Sequence, residues 1–359
     1  MNTPEKIEPN AANKAISLDR RVCVAPMMDY TDRHFRYLLR CLSPSALLYT
    51  EMITTQAILR GDVRRHLQFD ASEHPVALQL GGSEPSELAQ AAKIGAEFGY
   101  DEINLNCGCP SDRVKSGRFG ACLMAEPPRV ADGVAAMRAV VNVPVTVKCR
   151  IGIEPSAAID DYEFLCRFIA TIAQAGCDVF IVHARKAILT GLSPKENREI
   201  PPLRFDVARR LRSDFPQLTL IVNGGIRTLD QAQEQLQAFD GVMMGRAICD
   251  HPYRLAELHR RLHESTWVPT RESVIERYLP YCHARLAEGH RLAPMLRHVL
   301  TLYAGLPRAR SWRRFISERA TLASTRPEIL LEALRIVAPL SGLSPSSTMV
   351  PGMRSQSIA

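Results

Sequence analysis

The chain has 359 residues, of which 46% are hydrophobic and 23% are charged, and its formal net charge is +7. These values are typical of a globular protein of about two domains and exclude a mainly disordered chain, a collagen-like chain and a small disulfide scaffold. Because no run of about 18 apolar residues occurs and the first 17 residues lack an apolar core, we expect no membrane helix and no signal peptide. The sequence therefore predicts a cytoplasmic protein with reduced cysteines.

Short apolar runs alternate with helix-like patterns through the first 250 residues. Eight strands and their helices over about 230 residues indicate a (β/α)8 barrel. A doubly wound sheet is the alternative, but it usually needs fewer strands and its Gly-rich dinucleotide fingerprint is absent. Ser83 or Ser86 is a candidate helix cap, and Gly176 a candidate helix end. The predicted strands are Val22–Met27, Ala46–Tyr49, Val76–Leu80, Glu102–Leu105, Val145–Cys149, Val179–His183, Thr219–Asn223 and Gly241–Met244. The predicted helices are Thr31–Cys41, Ser86–Phe98, Arg129–Val141, Ile159–Ala175, Leu203–Ser213 and Leu229–Ala238.

Polar or conformationally special residues end nearly every predicted strand. Functional groups of a barrel lie at the C-terminal ends of its strands and in the loops that follow. These ends are Ala25–Asp29, Gln79 with Gly81 and Gly82, Asn104–Ser111, Lys148 with Arg150, His183–Lys186, Asn223–Gly225 and Gly245 with Arg246.

The last two strand ends predict a phosphate site. Glycines at Asn223-Gly224-Gly225 and at Gly245-Arg246 allow backbone N–H groups to approach an oxyanion, and Arg246 adds positive charge. A pair of tight turns is the structural alternative.

Lys148 and His183 end strands that are predicted to be buried. A buried lysine needs an anionic partner, either an internal carboxylate or a ligand such as a flavin, whose reduced ring is negative near N1 and O2. His183 on its own is more often a satisfied core histidine.

The segment Cys107-Gly108-Cys109-Pro110 allows three interpretations. A zinc site lacks a second Cys/His cluster, and a redox disulfide does not fit the C-x-C spacing in a reducing compartment. A single cysteine acting as an acid or nucleophile, held rigid by Pro110, remains.

The pattern after Gly245 is helical, and it carries the whole charge surplus. His251–Leu340 has 15 Arg, no Lys, 8 Glu and no Asp, whereas residues 1–250 carry 29 basic and 30 acidic groups. Arginine suits phosphate contacts and base stacking, although a solvated helical surface is the alternative. Arg310 and Arg313 share a helix face, and we expect Trp312 to pack between helices. The predicted helices are Tyr253–His263, Ser273–Glu288, Pro294–Tyr303, Trp312–Thr321 and Glu328–Val337.

The strand-end motifs together resemble those of the tRNA-dihydrouridine synthases. The resemblance runs from about residue 20 to about residue 335, and residues 183–203 are similar to the DusA subfamily in particular. The motifs are Ala25-Pro26-Met27, Glu102–Ser111, Val147–Arg150, His183–Lys186, Asn223-Gly224-Gly225 and Gly245-Arg246.

This resemblance implies an FMN-binding barrel over residues 18–258 and a helical tRNA-binding domain over residues 259–340. Residues 1–17 and 341–359 are expected to be flexible or disordered. The implied reaction reduces the C5–C6 double bond of uridines 20 and 20a in the tRNA D-loop, with NADPH or NADH as reductant. Hydride passes from FMN N5 to uracil C6, and C5 takes a proton. The resemblance implies neither a metal, nor a membrane, nor an obligate protein partner.

The resemblance also assigns roles to individual residues. Cys109 is implied to be the catalytic acid and Asn106 to hold the target uridine. The implied tRNA contacts are Arg185, Lys195, Arg198, Arg310 and Arg313. The implied FMN contacts are Pro26, Met27, Met28, Gln79, Lys148, His183, Asn223, Gly224, Gly225, Gly245 and Arg246.

Two other functions compete with this hypothesis. An FMN barrel oxidoreductase for a small pyrimidine, of the dihydroorotate or dihydropyrimidine type, shares the phosphate loops and the lysine but does not explain the Arg-rich helices. A non-enzymatic RNA-binding protein on a degenerate barrel does not explain the intact set of strand-end groups.

Overall fold

The computed structural model describes residues 18–111, 117–154, 161–264, 266–322 and 324–337. The chain divides into two compact units, with the division between Pro269 and Thr270. The predicted flexible N-terminus and the predicted disordered tail lie outside the described residues. No described helix is both long enough and apolar enough to span a membrane.

Eight parallel strands of the first unit close into a barrel, which confirms the predicted (β/α)8 fold and excludes the doubly wound sheet. The described strands are β1 (Val22–Val24), β2 (Leu47–Thr54), β3 (Val76–Gly81), β4 (Glu102–Cys107), β5 (Val145–Arg150), β6 (Ile153–Glu154), β7 (Val179–His183), β8 (Ala187–Ile188), β9 (Thr219–Asn223) and β10 (Gly241–Met244). The order around the barrel is β1-β10-β9-β7-β5-β4-β3-β2, and the short strands β6 and β8 form a separate parallel pair.

The strand register brings the predicted site residues together near the C-terminal ends of neighbouring strands. Asn106 on β4 pairs with Lys148 on β5, and His183 on β7 pairs with Asn223 on β9. Below them, small and branched side chains fill part of the barrel interior, among them Ala77 and Ile181. Neighbouring parallel strands thus place several chain-distant side chains at the C-terminal mouth of the barrel.

The outer helices begin where local chemistry caps them. Asp32 accepts a hydrogen bond from Phe35 N and so starts its helix at Arg33, and Thr228 forms a capping box. The proposed caps Ser83 and Ser86 are wrong: that helix begins at Pro85, whose fixed φ and missing N–H suit the first helical position. The helices of this unit are Arg33–Leu42, Thr55–Arg60, Val63–Leu67, Pro85–Glu97, Pro127–Arg138, Asp161–Gln174, Phe205–Asp214, Leu229–Leu236, Arg246–Asp250 and Arg254–His263.

The described part of the second unit contains helices and no strand, in agreement with its sequence pattern. Trp312 is fully buried, and its indole N–H donates to Val299 O at 3.0 Å, so it packs between helices as expected. The helices are Arg271–Ala287, Leu292–Val299, Ala309–Arg319 and Ile329–Val337. The helix Arg254–His263 precedes the division and belongs to the first unit.

Candidate active site

Lys148 lies at the barrel mouth, and its ammonium group donates to Asn223 Oδ1 at 3.0 Å. The Asn223 amide is oriented by its own N–H, which donates to Met243 O at 2.8 Å. The two hydrogen bonds fix the lysine against β9, at the level of the predicted phosphate loops.

No carboxylate of the described chain pairs with Lys148, so the internal salt bridge considered as its partner is not found there. The pKa of Lys148 is lowered to about 8, mainly by burial and then by repulsion from the nearby Arg150 guanidinium. A cation that is desolvated and lacks an anion stabilises any negatively charged ligand group that reaches it.

His183 is neutral at neutral pH. Burial is the largest cause that holds its pKa well below the usual range, followed by repulsion from Arg150 and Lys148. Its ring lies against the loop after β9, where Gly224 has φ +113°, and a Cβ at Gly224 would lie 2.6 Å from His183 Cδ2. Glycine is therefore required at this position for both backbone and contact reasons.

Arg246 of the predicted phosphate site has an acidic partner, Glu199, that the sequence did not indicate. Arg246 pairs with Glu199 at 2.6 Å and also donates to Arg198 O at 3.3 Å. Glu199 and Arg198, in the segment after β8, thus hold the Arg246 guanidinium in place. Partial desolvation and then repulsion from Arg246 lower the pKa of both Arg185 and Arg198, which shows a dense group of cations on this side of the mouth.

The loop after β4 is fixed from both sides. Asn106 Oδ1 accepts from the backbone N–H groups of Gly108 and Cys109, each at 3.0 Å. Arg150, which is only 3% exposed, donates through Nε to Gly108 O at 3.1 Å. The Cys109 side chain is half-buried, and its thiol lies 3.5 Å from Ser111 Oγ.

The two cysteines of this loop have different environments. Cys107 is fully buried, and burial raises the pKa of its thiol well above the usual range. All ten cysteines are free thiols, and the described residues contain no cluster of three or more potential metal ligands. Cys109 is therefore the more exposed thiol of this pair.

The remaining barrel residues of the prediction lie around the same mouth. Gln79 is buried, and its Oε1 accepts from Asn106 Nδ2 at 2.8 Å. Met27 donates its backbone N–H to Thr31 Oγ1 at 2.9 Å, while Met28 is 54% exposed. Pro26 precedes them on the loop after β1.

The predicted tRNA contacts fall in both units. Arg185 donates to Glu199 O at 3.3 Å and to Pro201 O, whereas Lys195 and Arg198 are exposed at a 3-10 turn. Arg310 and Arg313 are exposed on the helix Ala309–Arg319, whose opposite face buries Trp312.

Sequence reasoning missed residues that support the site from within the barrel. The sequence predicts no individual function for Arg150 at its strand end, nor for Glu102, Asn104 and Thr146 within their strands. A signal for two of them was present, because Glu102, Asn104 and Asn106 recur at every second position of a buried strand.

Known proteins resemble this chain over most of its length. The sequence profile of the family described as dihydrouridine synthase (Dus) matches residues 23–338. A Shewanella oneidensis protein named tRNA-dihydrouridine(20/20a) synthase is 57% identical over 314 residues, which cover 87% of this chain and 92% of that protein. Proteins of the same name from Synechocystis sp. and Vibrio cholerae are 56% and 55% identical, over 87% and 88% of this chain and 93% and 95% of theirs.

A solved structure shares the fold. The 2-naphthoyl-CoA reductase complex matches with a TM-score of 0.51 at 12% identity, over 68% of this chain and 50% of that one. This chain thus spans about half of that protein's length, and the likeness concerns the fold alone.

Proposed function

The chain belongs to the dihydrouridine synthase family, and we propose that it reduces the C5–C6 double bond of uridines 20 and 20a in the tRNA D-loop, with FMN as bound cofactor and NADPH or NADH as reductant. The observation that carries the proposal is Lys148, a half-buried cation without a carboxylate among the described residues, beside a neutral His183 and two glycine-containing loops. That combination fits an anionic heteroaromatic ring with a phosphate.

The residues at the mouth suit FMN. Lys148 is assigned to the N1–O2 edge of the flavin, and the loops after β9 and β10 to its phosphate, with Arg246 held by Glu199. When bound, FMN supplies the hydride that passes from N5 to C6 of uracil. The proposed FMN contacts are Pro26, Met27, Met28, Gln79, Lys148, His183, Asn223, Gly224, Gly225, Gly245 and Arg246.

Cys109 is proposed to donate a proton to C5 of uracil. A thiol positioned beside the reacting carbon can act as a general acid and supply this proton. The backbone around it is held by Asn106 and Arg150, which keeps the thiol in place over the mouth. Asn106 is also proposed to hold the uracil ring.

A uridine within a base stack cannot reach the barrel mouth, so the target must be turned out of the tRNA fold. The cations around the mouth and on the second unit are proposed to bind the phosphates of the surrounding backbone. The proposed contacts are Arg185, Lys195, Arg198, Arg310 and Arg313.

A comparison of substrates tests this proposal against the small-molecule alternative. The purified protein is loaded with FMN, reduced with NADPH without oxygen, and mixed with unmodified tRNA transcript, uracil or orotate, while flavin absorbance is followed. We expect tRNA alone to reoxidise the protein rapidly. Rapid reoxidation by a free pyrimidine, with none by tRNA, would favour the small-molecule oxidoreductase. A protein that binds no flavin would favour the non-enzymatic RNA-binding protein.

A further inference from the structure

A line of polar side chains crosses the barrel interior from its closed end to its mouth. It runs along β4 and passes to one neighbouring strand on each side. All members are buried, with exposed fractions between 0 and 9%. They are Glu102, Asn104 and Asn106 on β4, Gln79 on β3 and Thr146 on β5. Buried polar groups of this number are stable only when they are hydrogen-bonded, and each of these is.

Every hydrogen bond in the line points the same way, from the mouth toward Glu102. Each side chain above Glu102 accepts from the member nearer the mouth and donates to the next member below. The links are Cys109 N–H to Asn106 Oδ1 (3.0 Å), Asn106 Nδ2 to Gln79 Oε1 (2.8 Å), Gln79 Nε2 to Asn104 Oδ1 (2.8 Å), Asn104 Nδ2 to Thr146 Oγ1 (2.8 Å) and Thr146 Oγ1 to Glu102 Oε1 (2.8 Å).

The two ends of the line fix this direction. The Glu102 carboxylate, which pairs with Arg20 at 2.7 Å and accepts from Tyr49 OH at 2.6 Å, can only accept. The backbone N–H of Cys109 can only donate. Reversal of any amide between them would set two donors or two acceptors against each other, so the orientation of every amide follows from the ends.

We infer that Glu102, Thr146 and Asn104 are positioning residues, which hold the amides of Gln79 and Asn106 so that they present N–H donors at the barrel mouth. Asn106 Oδ1 is already occupied by two backbone N–H groups. Each amide nitrogen has one further hydrogen beyond the bond that it makes within the line.

This inference rests on the proposed function, because it concerns how the same site meets FMN and uracil. As C6 of uracil accepts hydride, an electron pair moves from the C5–C6 bond toward C5 and O4, before C5 takes the proton of Cys109. N–H donors held in place stabilise negative charge on carbonyl oxygens, whereas a reversed amide would repel it.

A pair of substitutions at Thr146 separates orientation from packing. Thr146→Val keeps the shape and removes the hydroxyl, whereas Thr146→Ser keeps the hydroxyl and removes a methyl group. Tyr49→Phe is the matched control, because it removes a hydrogen bond to the same Glu102 oxygen without breaking the line. The readouts are FMN affinity of the apo-protein by quenching of FMN fluorescence, the absorbance spectrum of bound FMN, and kcat and KM with tRNA.

If the line orients the amides, Thr146→Val binds FMN about tenfold more weakly, shifts the flavin spectrum and lowers kcat with little change in KM for tRNA. Thr146→Ser and Tyr49→Phe stay within about twofold of wild type. Equal effects of Val and Ser, or a larger effect of Ser, would overturn the inference, because both outcomes indicate packing.

Thermal unfolding shows whether each variant is folded. If Thr146→Val does not fold, Asn104→Leu interrupts the line one step nearer the mouth with a side chain of similar volume, and the same loss is expected. A wild-type protein that binds FMN but does not reduce tRNA contradicts the proposed function alone. In that case the FMN affinities of the Thr146 and Tyr49 variants still test whether the line orients the amides. A wild-type protein that binds no FMN contradicts both.

Discussion

Lys148 carries a charge that no carboxylate of the described chain neutralises, and this limits what the barrel mouth can bind. Its hydrogen bond to Asn223 satisfies one ammonium proton but supplies no negative charge. The anionic edge of a flavin ring supplies a hydrogen-bond acceptor and a negative charge together. FMN affinity is therefore expected to depend on the protonation of Lys148.

The first prediction concerns pH. The pKa of Lys148 is about 8 in the free protein, and a bound anion favours the charged form. Above pH 8, FMN binding therefore requires Lys148 to take up a proton. FMN affinity of the apo-protein is therefore expected to fall between pH 7 and pH 9. Lys148→Met should bind FMN about 10- to 100-fold more weakly at pH 7, with little change up to pH 9. Fluorescence titration measures both, and a wild-type affinity independent of pH would refute the role.

The second prediction concerns Cys109. Cys109→Ala should bind FMN and be reduced by NADPH at the wild-type rate, because the thiol is assigned only to proton donation. Reoxidation of its flavin by tRNA should slow by about 10²- to 10⁴-fold. Cys122→Ala, at another half-buried thiol, is the control and should behave as wild type. Near-native dihydrouridine formation by Cys109→Ala would show that another group supplies the proton.

At the scale of elements, the barrel strands were predictable because buried parallel strands are short apolar runs. The bounds Val179–His183, Thr219–Asn223 and Gly241–Met244 are those of the structure. β2 continues to Thr54, beyond the predicted Tyr49, because its polar end is paired with β3 through an irregular register. The short helix Thr55–Arg60 follows at once and is too short to show a helical period.

The supporting contacts of the site were not predictable in the same way. Glu199 meets Arg246 across 47 residues, and Arg150 meets Gly108 across 42. Local periodicity carries no information about such pairs, since only closure of the barrel brings them together. The strand-end residues were predictable because the end of a strand already places them at the barrel mouth. Their hydrogen-bonding partners were not, because these depend on the course of the loops in three dimensions.

The third prediction concerns the loop after β9. Gly224→Ala should reduce FMN affinity at least tenfold and destabilise the protein by about 1–3 kcal/mol, because φ is +113° and the new Cβ would lie 2.6 Å from His183 Cδ2. Gly289→Ala is the matched control, with φ +86° and nothing within 4 Å of its Cβ. It should lose about 1 kcal/mol of stability and no FMN affinity. Equal FMN affinity in the two variants would contradict the role of the His183 contact.

At the scale of the whole molecule, the charge surplus lies with the second unit. Residues 270–337 contain 12 Arg and 6 Glu and neither Lys nor Asp. Arg310 and Arg313 pair with no carboxylate of the described chain. An exposed helix face of this kind is suited to phosphates.

The fourth prediction reverses that charge. The double variant Arg310→Glu and Arg313→Glu should weaken tRNA binding and reduce the slope of log affinity against log salt by about 2, since two phosphate contacts are lost. The control is Arg209→Glu with Arg210→Glu, an equal charge change on an outer barrel helix where the arginines pair with Glu234 and Asp214. Filter binding over a range of salt concentrations measures both, and an equal loss in the two variants would point to net charge rather than to a contact.

The position of dihydrouridine in the tRNA product distinguishes the proposed function from its alternatives. Unmodified transcript with uridine at positions 20 and 20a is incubated with the protein and NADPH, digested with a nuclease, and analysed by mass spectrometry, since each reduced uridine gains two hydrogen atoms. We expect this gain in the D-loop fragment, and we expect it to be lost when both uridines are replaced by cytidine. A gain confined to another part of the tRNA, or no gain while NADPH is consumed with a free pyrimidine, would contradict the proposed function.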